Sequence, residues 1–187
     1  WSVLSNAGAP ERARKAMASL NKYLVKEEDR IILLLTPPFD RMEPNPGYIM
    51  GYLPGIRENG GQYTHAAIWA CMAYAELGMG DEAFRLHNMI NPIMHALNYS
   101  DAMKAEPYVI SADVYSMHPH VGRAGWSWYT GSAGWLYKAG LESMLGFKKE
   151  GNKLYIKPSV PAHWKYYSIN YKYSESNYRI DVKDPAE

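Results

Sequence analysis

The stretch from Gly55 to Trp69 groups polar and glycine residues in a way that suits anion binding. Its sequence, Gly-Ile-Arg-Glu-Asn-Gly-Gly-Gln-Tyr-Thr-His, sets charged and amide side chains around a double glycine. Apolar and aromatic residues at helical spacing follow, which predicts that the polar cluster lies at a helix N-terminus. There, unpaired N–H groups and the helix dipole favour an anion. A Gly-Gly turn into a buried helix, with His65 as a satisfied core histidine, is the alternative interpretation.

A second helix N-terminus is predicted in the sequence Trp-Tyr-Thr-Gly-Ser-Ala-Gly-Trp at 128–135. Like the Thr64-His65 pair, it offers hydroxyl groups, glycines and backbone N–H groups. Brought together, the two termini would form a pocket for inorganic phosphate. Further polar and aromatic residues would line an adjoining sugar cleft: Arg57, Glu58, Tyr63, Glu106, Arg123, Trp126 and Trp128.

Other familiar catalytic patterns do not occur in the sequence. Two of the six histidines, His118 and His120, flank a proline without zinc-ligand spacing, and no cysteine cluster accompanies them. Ser132 lies in Thr-Gly-Ser-Ala-Gly, which is not a Gly-x-Ser-x-Gly nucleophile turn. A Walker-type phosphate loop is also missing. We therefore predict no metal site and no organic cofactor.

Composition limits the classes of partner. The 187 residues suffice for one domain or a domain with an appendage, and 20 Lys and Arg against 19 Asp and Glu give a net charge of +1. No strong field therefore favours nucleic acid or an acidic membrane surface. No apolar run approaches the ~18 residues that cross a bilayer. The single cysteine, Cys71, excludes an internal disulfide and fits a reducing compartment, most simply the cytoplasm.

The aromatic residues favour rings with a polar group, since 16 Tyr and 6 Trp stand against 3 Phe. Such rings stack on the C–H faces of sugars while their O–H and N–H groups form hydrogen bonds. The same bias also fits a tyrosine-rich sheet and core.

Hydrophobic periodicity predicts helices first and strands last. Helices are expected at 9–25, 62–77 and 82–97, and a fourth ends near Gly146. Asp81 is the expected N-cap of the third helix, and Pro92 predicts a kink or an early end. Between the helices, 26–35 is a helix or a strand, 40–59 a long loop and 104–118 extended. Short strands are expected at 147–149, 153–157, 166–173 and 178–182.

Four motifs, in this chain order, resemble one family closely. They are Arg-Glu-Asn-Gly-Gly-Gln-Tyr-Thr-His-Ala at 57–66, Glu-Pro-Tyr-Val at 106–109, Gly-Arg-Ala-Gly-Trp-Ser-Trp-Tyr-Thr-Gly-Ser-Ala-Gly-Trp at 122–135 and Leu-Tyr-Ile-Lys-Pro at 154–158. The ordered set is similar to the inverting glycoside phosphorylases of glycoside hydrolase family 94, formerly glycosyltransferase family 36. It looks most like 1,2-β-oligoglucan phosphorylases and the C-terminal phosphorylase-like region of cyclic β-1,2-glucan synthases.

This resemblance implies a mainly α fold, with 1–146 as the last helices of an (α/α)6 barrel and 147–187 as the start of a C-terminal β-sandwich. It implies that the attacking phosphate is bound by His65, Thr130 and Gly131. Substrate would be bound by Arg57, Glu58, Gln62, Glu106, Arg123 and Trp126. In the family's reaction, phosphate displaces a β-linked sugar with inversion, a carboxylic acid protonates the leaving oxygen, and α-glucose 1-phosphate is released.

The sequence departs from the family pattern in one respect. The family's general acid is an aspartate in an Asn-Asp-Gly-type motif upstream of the Thr-His motif, and an upstream arginine also binds phosphate. Neither stretch is found here, so we expect the C-terminal portion of a larger enzyme, inactive alone. We also expect it to pack on the missing upstream part or to form a homo-oligomer. A parent enzyme of the glucan synthase type would associate with the inner membrane.

Three alternatives remain at this point. Glu58, Glu106 or Asp113 would be the acid if the chain were active by itself. A non-catalytic carbohydrate-binding module would keep the shape without the chemistry, and a glycoside hydrolase would use water in place of phosphate.

Overall fold

A computed structural model of the chain describes residues 1–128 and 130–183, with the backbone alone at Thr130. The described part is mainly helical with small sheets, as the sequence predicts. None of its helices is both long and apolar enough to span a bilayer. The helices are α1 (Pro10–Leu24), α2 (Thr64–Glu76), α3 (Gly80–Ile90), α4 (Pro92–Asn98), α5 (Ser100–Met103) and α6 (Thr130–Lys138). A π-helical turn, Ala139–Met144, extends α6, and a 3₁₀ turn covers Gly47–Gly51.

Helix α2 forms the centre of the hydrophobic core. Apolar residues occupy nearly all of its circumference, and Ile68 and Cys71 are almost fully buried. The Tyr74 hydroxyl donates a hydrogen bond to the Met17 carbonyl oxygen of α1 at 2.8 Å. Burial raises the pKa of the Cys71 thiol to about 12. Cys71 is therefore a small core residue on this helix.

The start of α3 differs from the prediction. Asp81 is not the N-cap, because α3 begins at Gly80, and a Cβ atom on Gly80 would overlap the Val160 backbone. The Asp81 carboxylate instead accepts a hydrogen bond from the Ala162 N–H at 3.0 Å. This bond ties the start of α3 to the loop before the last hairpin.

The expected early end at Pro92 is confirmed. Helix α3 stops at Ile90, and α4 starts at Pro92. Asn91 caps α4, since its Oδ1 accepts a hydrogen bond from the Ile93 N–H at 2.9 Å. A proline in the first turn and an Asn cap suit a new helix start.

The strands of the described ranges form four antiparallel pairs. These are β1 (Val25–Lys26) with β2 (Ile31–Ile32), β3 (Gln62–Tyr63) with β4 (Asp113–Val114), β5 (Phe147–Glu150) with β6 (Lys153–Ile156), and β7 (Tyr166–Tyr173) with β8 (Ser176–Lys183). The last two hairpins match the predicted strands to within a few residues. By contrast, only Asp113–Val114 of the expected extended stretch 104–118 is a strand, since turns occupy much of the rest.

The terminal hairpins contact each other and the helices through aromatic residues. The Phe147 and Tyr171 rings pack edge to face with centroids 4.9 Å apart. The Tyr167 hydroxyl donates a hydrogen bond to the Leu145 carbonyl oxygen at 2.7 Å. The predicted division of the chain near residue 146 remains a prediction. The last four residues of the predicted second part, 184–187, lie outside the described residues.

Candidate functional site

Strand β4 brings three separate segments of the chain together. Val114 pairs with Gln62 of β3 on one side and with Ala124 on the other, both in antiparallel register. The Ala112 N–H also donates to the Trp126 carbonyl oxygen at 2.6 Å. Segments from two of the four family-like motifs, 57–66 and 122–135, therefore lie on either side of β4, although they are far apart in sequence.

The turn that begins at Gly55 is closed by its own backbone. The Gly55 N–H donates to the Asn59 carbonyl oxygen at 2.7 Å. A Cβ atom on Gly61 would lie 2.9 Å from the Gly55 carbonyl oxygen and 3.0 Å from the Arg57 nitrogen. Arg57 itself has a φ of 49°. Left-handed backbone at a non-glycine residue costs roughly 1–3 kcal/mol, and such strain clusters at functional sites.

The Asn59 side chain holds the long loop before this turn. It is fully buried, and its Oδ1 accepts a hydrogen bond from the Phe39 N–H at 2.7 Å. Its Nδ2 donates to the carbonyl oxygens of Phe39 and Tyr52, each at 2.8 Å. The Asn59 amide group therefore hydrogen-bonds to both ends of the 39–52 loop and positions Tyr52 at the site.

Gln62, a predicted substrate ligand, turns its side chain into the protein. It is 1% exposed, its Oε1 accepts a hydrogen bond from the Ile32 N–H at 2.9 Å, and its Nε2 donates to Thr64 Oγ1 at 3.3 Å. Both polar groups are thus bonded within the fold. In this arrangement the side chain links β2 to the first residue of α2.

His65 lies in the first turn of α2, beside the N-terminus of α6. Its ring packs against Trp69 with centroids 4.7 Å apart and against Trp135 at 5.7 Å. A Cβ atom on Gly131 would lie 3.9 Å from His65 Cε1. The buried Nε2 receives no hydrogen-bond partner from the described residues. The Thr130 side chain, also a predicted phosphate ligand, lies outside the described residues.

Arg57 lies between two aromatic rings. Its guanidinium is 5.7 Å from the Tyr52 ring centroid and 5.6 Å from that of Trp126, within cation–π range. Glu58 Oε2 is 3.6 Å from Arg57 Nε. Trp126 is still 61% exposed, so its indole can contact a ligand. Three predicted substrate residues therefore form one surface.

Asp113 lies beneath this surface. The side chain is 1% exposed, and its Oδ1 accepts a hydrogen bond from the Trp126 N–H at 3.1 Å. A Cβ atom on Gly125 would overlap the carboxylate. Burial raises the pKa of Asp113, while the Trp126 N–H and then the Arg57 charge act to lower it.

Glu106 and Arg123 complete the predicted substrate set at the edge of this region. Trp128 Nε1 donates a hydrogen bond to Glu106 Oε1 at 3.1 Å, and the Trp128 ring packs edge to face with Tyr108. The pKa of Glu106 is lowered, first by its own backbone N–H and then by Trp128. The Arg123 carbonyl oxygen accepts a hydrogen bond from the Tyr115 N–H, and Arg123 itself is exposed.

Cavity size does not locate this site. A cleft of about 750 Å³, lined by Trp1, Trp135 and Lys157 among others, runs along α2 and the β5–β6 hairpin. Among its described lining residues are none of the predicted substrate ligands. The described residues also contain no cluster of three or more His, Cys, Asp or Glu side chains that could hold a metal ion.

Sequence reasoning missed several residues that shape the site. Tyr52 comes from the long loop, and only its contact with Arg57 reveals a role. Trp69 follows His65 by four residues, so helical spacing could have placed the two rings together. Gly125 lies in the 122–135 motif, but its fit to Asp113 depends on strand pairing and was not visible in the sequence.

Comparison with known proteins agrees with the motifs. The model of the glycosyl hydrolase 94 superfamily, catalytic domain, matches residues 1–146. The chain is 48% identical over 184 residues to cyclic beta-(1,2)-glucan synthase NdvB of Rhizobium meliloti (strain 1021), covering 97% of this chain and 6% of that protein.

Two phosphorylases are also similar. The chain is 31% identical to N,N'-diacetylchitobiose phosphorylase of Vibrio furnissii, covering 98% of this chain and 23% of that protein. It is 30% identical to solabiose phosphorylase of Paenibacillus borealis, covering 98% and 24% respectively. The chain therefore spans a quarter or less of the length of these three relatives. Because the family model covers well over half of it, the chain belongs to the glycosyl hydrolase 94 superfamily of carbohydrate-active enzymes.

Proposed function

We propose that the protein carrying this chain phosphorolyses β-linked gluco-oligosaccharides with inversion and releases α-glucose 1-phosphate. The chain would supply part of the phosphate and sugar sites. The observation that carries this proposal is the proximity of His65 to Gly131, since a Cβ atom on Gly131 would lie 3.9 Å from His65 Cε1, so that the N-termini of α2 and α6 lie side by side. Helix N-termini offer unpaired N–H groups and a positive dipole end, which together favour phosphate.

In this proposal, the phosphate lies between the His65 imidazole and the first N–H groups of α6. Nε2 of His65 has no described partner, so it is available to donate to a phosphate oxygen. Thr130 is proposed as a further ligand. The bound phosphate is then oriented to attack the anomeric carbon on the face opposite the leaving sugar, which gives inversion.

The sugar is proposed to bind over Arg57, Glu58 and Trp126, with Glu106 and Arg123 at the edge. An exposed indole can stack on a sugar C–H face, and charged groups can bind its hydroxyls. Gln62 is given a positioning role because its amide is bonded to Ile32 and Thr64. The β-1,2 linkage is the preferred choice, supported by the identity to the cyclic beta-(1,2)-glucan synthase.

The general acid is proposed to lie outside this chain. The lowered pKa of Glu106 favours the carboxylate form, which cannot donate a proton. Asp113 is buried beneath the Arg57 and Trp126 surface and accepts the Trp126 N–H, so it is shielded from the leaving oxygen. An aspartate upstream, as in the family pattern, would supply the proton.

The surrounding architecture is part of the proposal. We place α1 to α6 among the last helices of an (α/α)6 barrel and the two terminal hairpins in a β-sandwich, in a cytoplasmic enzyme. Support comes from the burial of most of α2 and from the change to β-hairpins after Gly146.

The test is release of glucose 1-phosphate from β-1,2-, β-1,3- and β-1,4-linked gluco-oligosaccharides. The assay is run with the whole protein and with this chain alone, with and without phosphate. We expect phosphate-dependent release by the whole protein only, fastest with the β-1,2 linkage. Phosphate-independent cleavage would instead identify a hydrolase, and binding without cleavage would identify a carbohydrate-binding module.

A further inference from the structure

We infer that Asp113 is a positioning residue: its buried carboxylate holds the Arg57 turn and the Trp126 segment together as one sugar-binding surface. The sugar ligand in this inference rests on the proposed function, whereas the joining of the two segments rests on the backbone pairing of Asp113 and on its hydrogen bond from the Trp126 N–H. Asp113 does not itself contact sugar, because it is 1% exposed beneath that surface.

The backbone places Asp113 between the two segments. It pairs with Tyr63 on the side of the Arg57 turn. On the other side, its carbonyl oxygen accepts the Gly125 N–H at 2.9 Å. Strand β3, which follows the Arg57 turn, and the segment that holds Trp126 thus lie on opposite sides of Asp113.

The side chain binds the Trp126 segment directly, and the charge of Arg57 acts on it as well. Oδ1 accepts the Trp126 N–H at 3.1 Å, and the backbone N–H and guanidinium of Arg57 both act on the carboxylate charge. Oδ2 is buried without a hydrogen bond from the described residues. A carboxylate in this position costs stability, and an asparagine could accept the Trp126 N–H without a buried charge. Attraction toward Arg57 is what the carboxylate adds.

Gly125 fits this arrangement. Any side chain there would displace the carboxylate, because its Cβ would overlap Asp113. The Arg57 guanidinium lies 5.6 Å from the Trp126 ring centroid, directly across the joint. Movement of the carboxylate would therefore change how Arg57 and Trp126 are aligned, and with it the affinity for sugar.

The phosphate ligands are held differently. His65 packs against Trp69 of its own helix and Trp135 of α6, and none of these rings belongs to the two segments that Asp113 joins. A defect at Asp113 should therefore weaken sugar binding and leave phosphate binding intact. General misfolding would lower the active fraction and leave both KM values unchanged.

The test compares D113N, D113A and G125A with wild type in the whole protein. D113N keeps a hydrogen-bond acceptor for the Trp126 N–H but removes the negative charge, and D113A removes both. G125A leaves the carboxylate intact but displaces it. The matched control is D81N, since Asp81 also joins two segments by accepting a backbone N–H, that of Ala162. Readouts are the KM values for β-1,2-gluco-oligosaccharide and phosphate, kcat, and hydrogen exchange of peptides containing Arg57 and Trp126.

We expect D113N to raise the oligosaccharide KM by about tenfold, as for loss of a charge-assisted contact. The phosphate KM should stay within about twofold of wild type. Exchange should accelerate in both peptides in D113N and G125A but not in D81N. If D113A does not fold, D113N and G125A decide the result.

Two results would overturn the inference: equal changes in both KM values, or unchanged exchange at Arg57 and Trp126. If wild type releases no glucose 1-phosphate, the proposed function fails separately. In that case two measurements decide the positioning role. They are hydrogen exchange of the Arg57 and Trp126 peptides and calorimetric titration of the same oligosaccharide into wild type and D113N. Faster exchange with weaker oligosaccharide binding would support it, and unchanged binding would reject it.

Discussion

The His65 imidazole lies beside Gly131, so that the first turn of α2 meets the first turn of α6. These residues are 66 positions apart in the sequence, and neither helix alone offers a complete anion site. Their proximity puts His65 Nε2, which has no hydrogen-bond partner among the described residues, next to the first turn of α6, the place where a helix offers backbone N–H groups. Replacing first His65 and then Gly131 tests this relationship.

Replacing His65 with alanine should weaken phosphate binding selectively. Loss of a hydrogen bond to a charged ligand predicts a rise of about tenfold or more in the phosphate KM. The oligosaccharide KM should change by less than about twofold. The measurement is initial-rate glucose 1-phosphate release over a phosphate series. H163A is the control, because His163 is exposed and packs on Phe84 away from the site; an unchanged phosphate KM in H65A would refute the assignment.

Adding a methyl group at Gly131 should crowd the same site. Its Cβ would lie 3.9 Å from His65 Cε1, an ordinary contact, so the fold should accept G131A while the space for phosphate shrinks. We expect the phosphate KM to rise about fivefold or more. G134A is the matched control on the same helix, because its Cβ would meet open space. Equal phosphate KM values in the two variants would argue against phosphate at this position.

Glu106 should serve binding rather than proton transfer. Its lowered pKa keeps it ionised at neutral pH. E106Q should therefore raise the oligosaccharide KM while kcat stays within about threefold of wild type. Removal of a general acid would instead lower kcat by about a hundredfold or more, and that result would place the acid in this chain. E150Q, on the exposed β5–β6 hairpin, is the control.

Asn59 should determine the order of the 39–52 loop. N59A leaves the N–H and carbonyl of Phe39 and the carbonyl of Tyr52 without this partner, at up to about 1–3 kcal/mol for each part-buried group. We expect amide exchange at Phe39 to accelerate about a hundredfold or more. N45A is the control, because Asn45 makes one exposed bond to the Gly47 N–H. Comparable acceleration in both variants would show that Asn59 has no special role.

Acid should destabilise the fold partly through His95. Burial lowers the pKa of His95, Arg30 acts in the same direction, and the Met89 carbonyl opposes them. An unfolded histidine titrates near ~6.5, so below that pH the unfolded state binds more protons than the native state. The stability contributed by neutral His95 is therefore present above pH ~6.5 and lost as pH falls toward the folded pKa.

The check on His95 is the thermal midpoint of wild type and H95Q across a pH series from ~7.5 to ~5. The difference between the two proteins should shrink as pH falls, because the variant cannot gain that proton. His87, whose pKa burial also lowers, titrates equally in both and cancels from the difference. A difference that is constant with pH would contradict the prediction.

Local patterns in the sequence predicted most of the helices and hairpins. Apolar spacing identified α1 and α2, Pro92 predicted the break after α3, and turn residues predicted the terminal hairpins. The pairing of two helix N-termini was also proposed from residue types. The helices, the break and the hairpins depend on neighbours within a few positions, which is the range over which periodicity and capping act.

Features that depend on distant contacts were not accessible in this way. Gln62 reads as a polar site residue, but pairing with the Ile32 N–H turns it inward. Asp113 reads as one acid among several, and only the β3–β4 and Ala124 pairings bury it. Asp81 has the type of an N-cap, yet α3 starts two residues earlier than predicted, at Gly80, which lies against the Val160 backbone. Tertiary contact, not local preference, decided these three positions.

The buried Cys71 thiol in α2 is a natural probe for local opening of the core. With its pKa raised to about 12 and 1% of its surface exposed, Cys71 is neither ionised nor accessible while the core is closed. A thiol-specific reagent can modify it only when α2 separates from its neighbours, since the thiolate is the reactive form. The labelling rate of the native Cys71 thiol therefore measures how often α2, the helix that carries His65, separates from the core, and no engineered probe is needed.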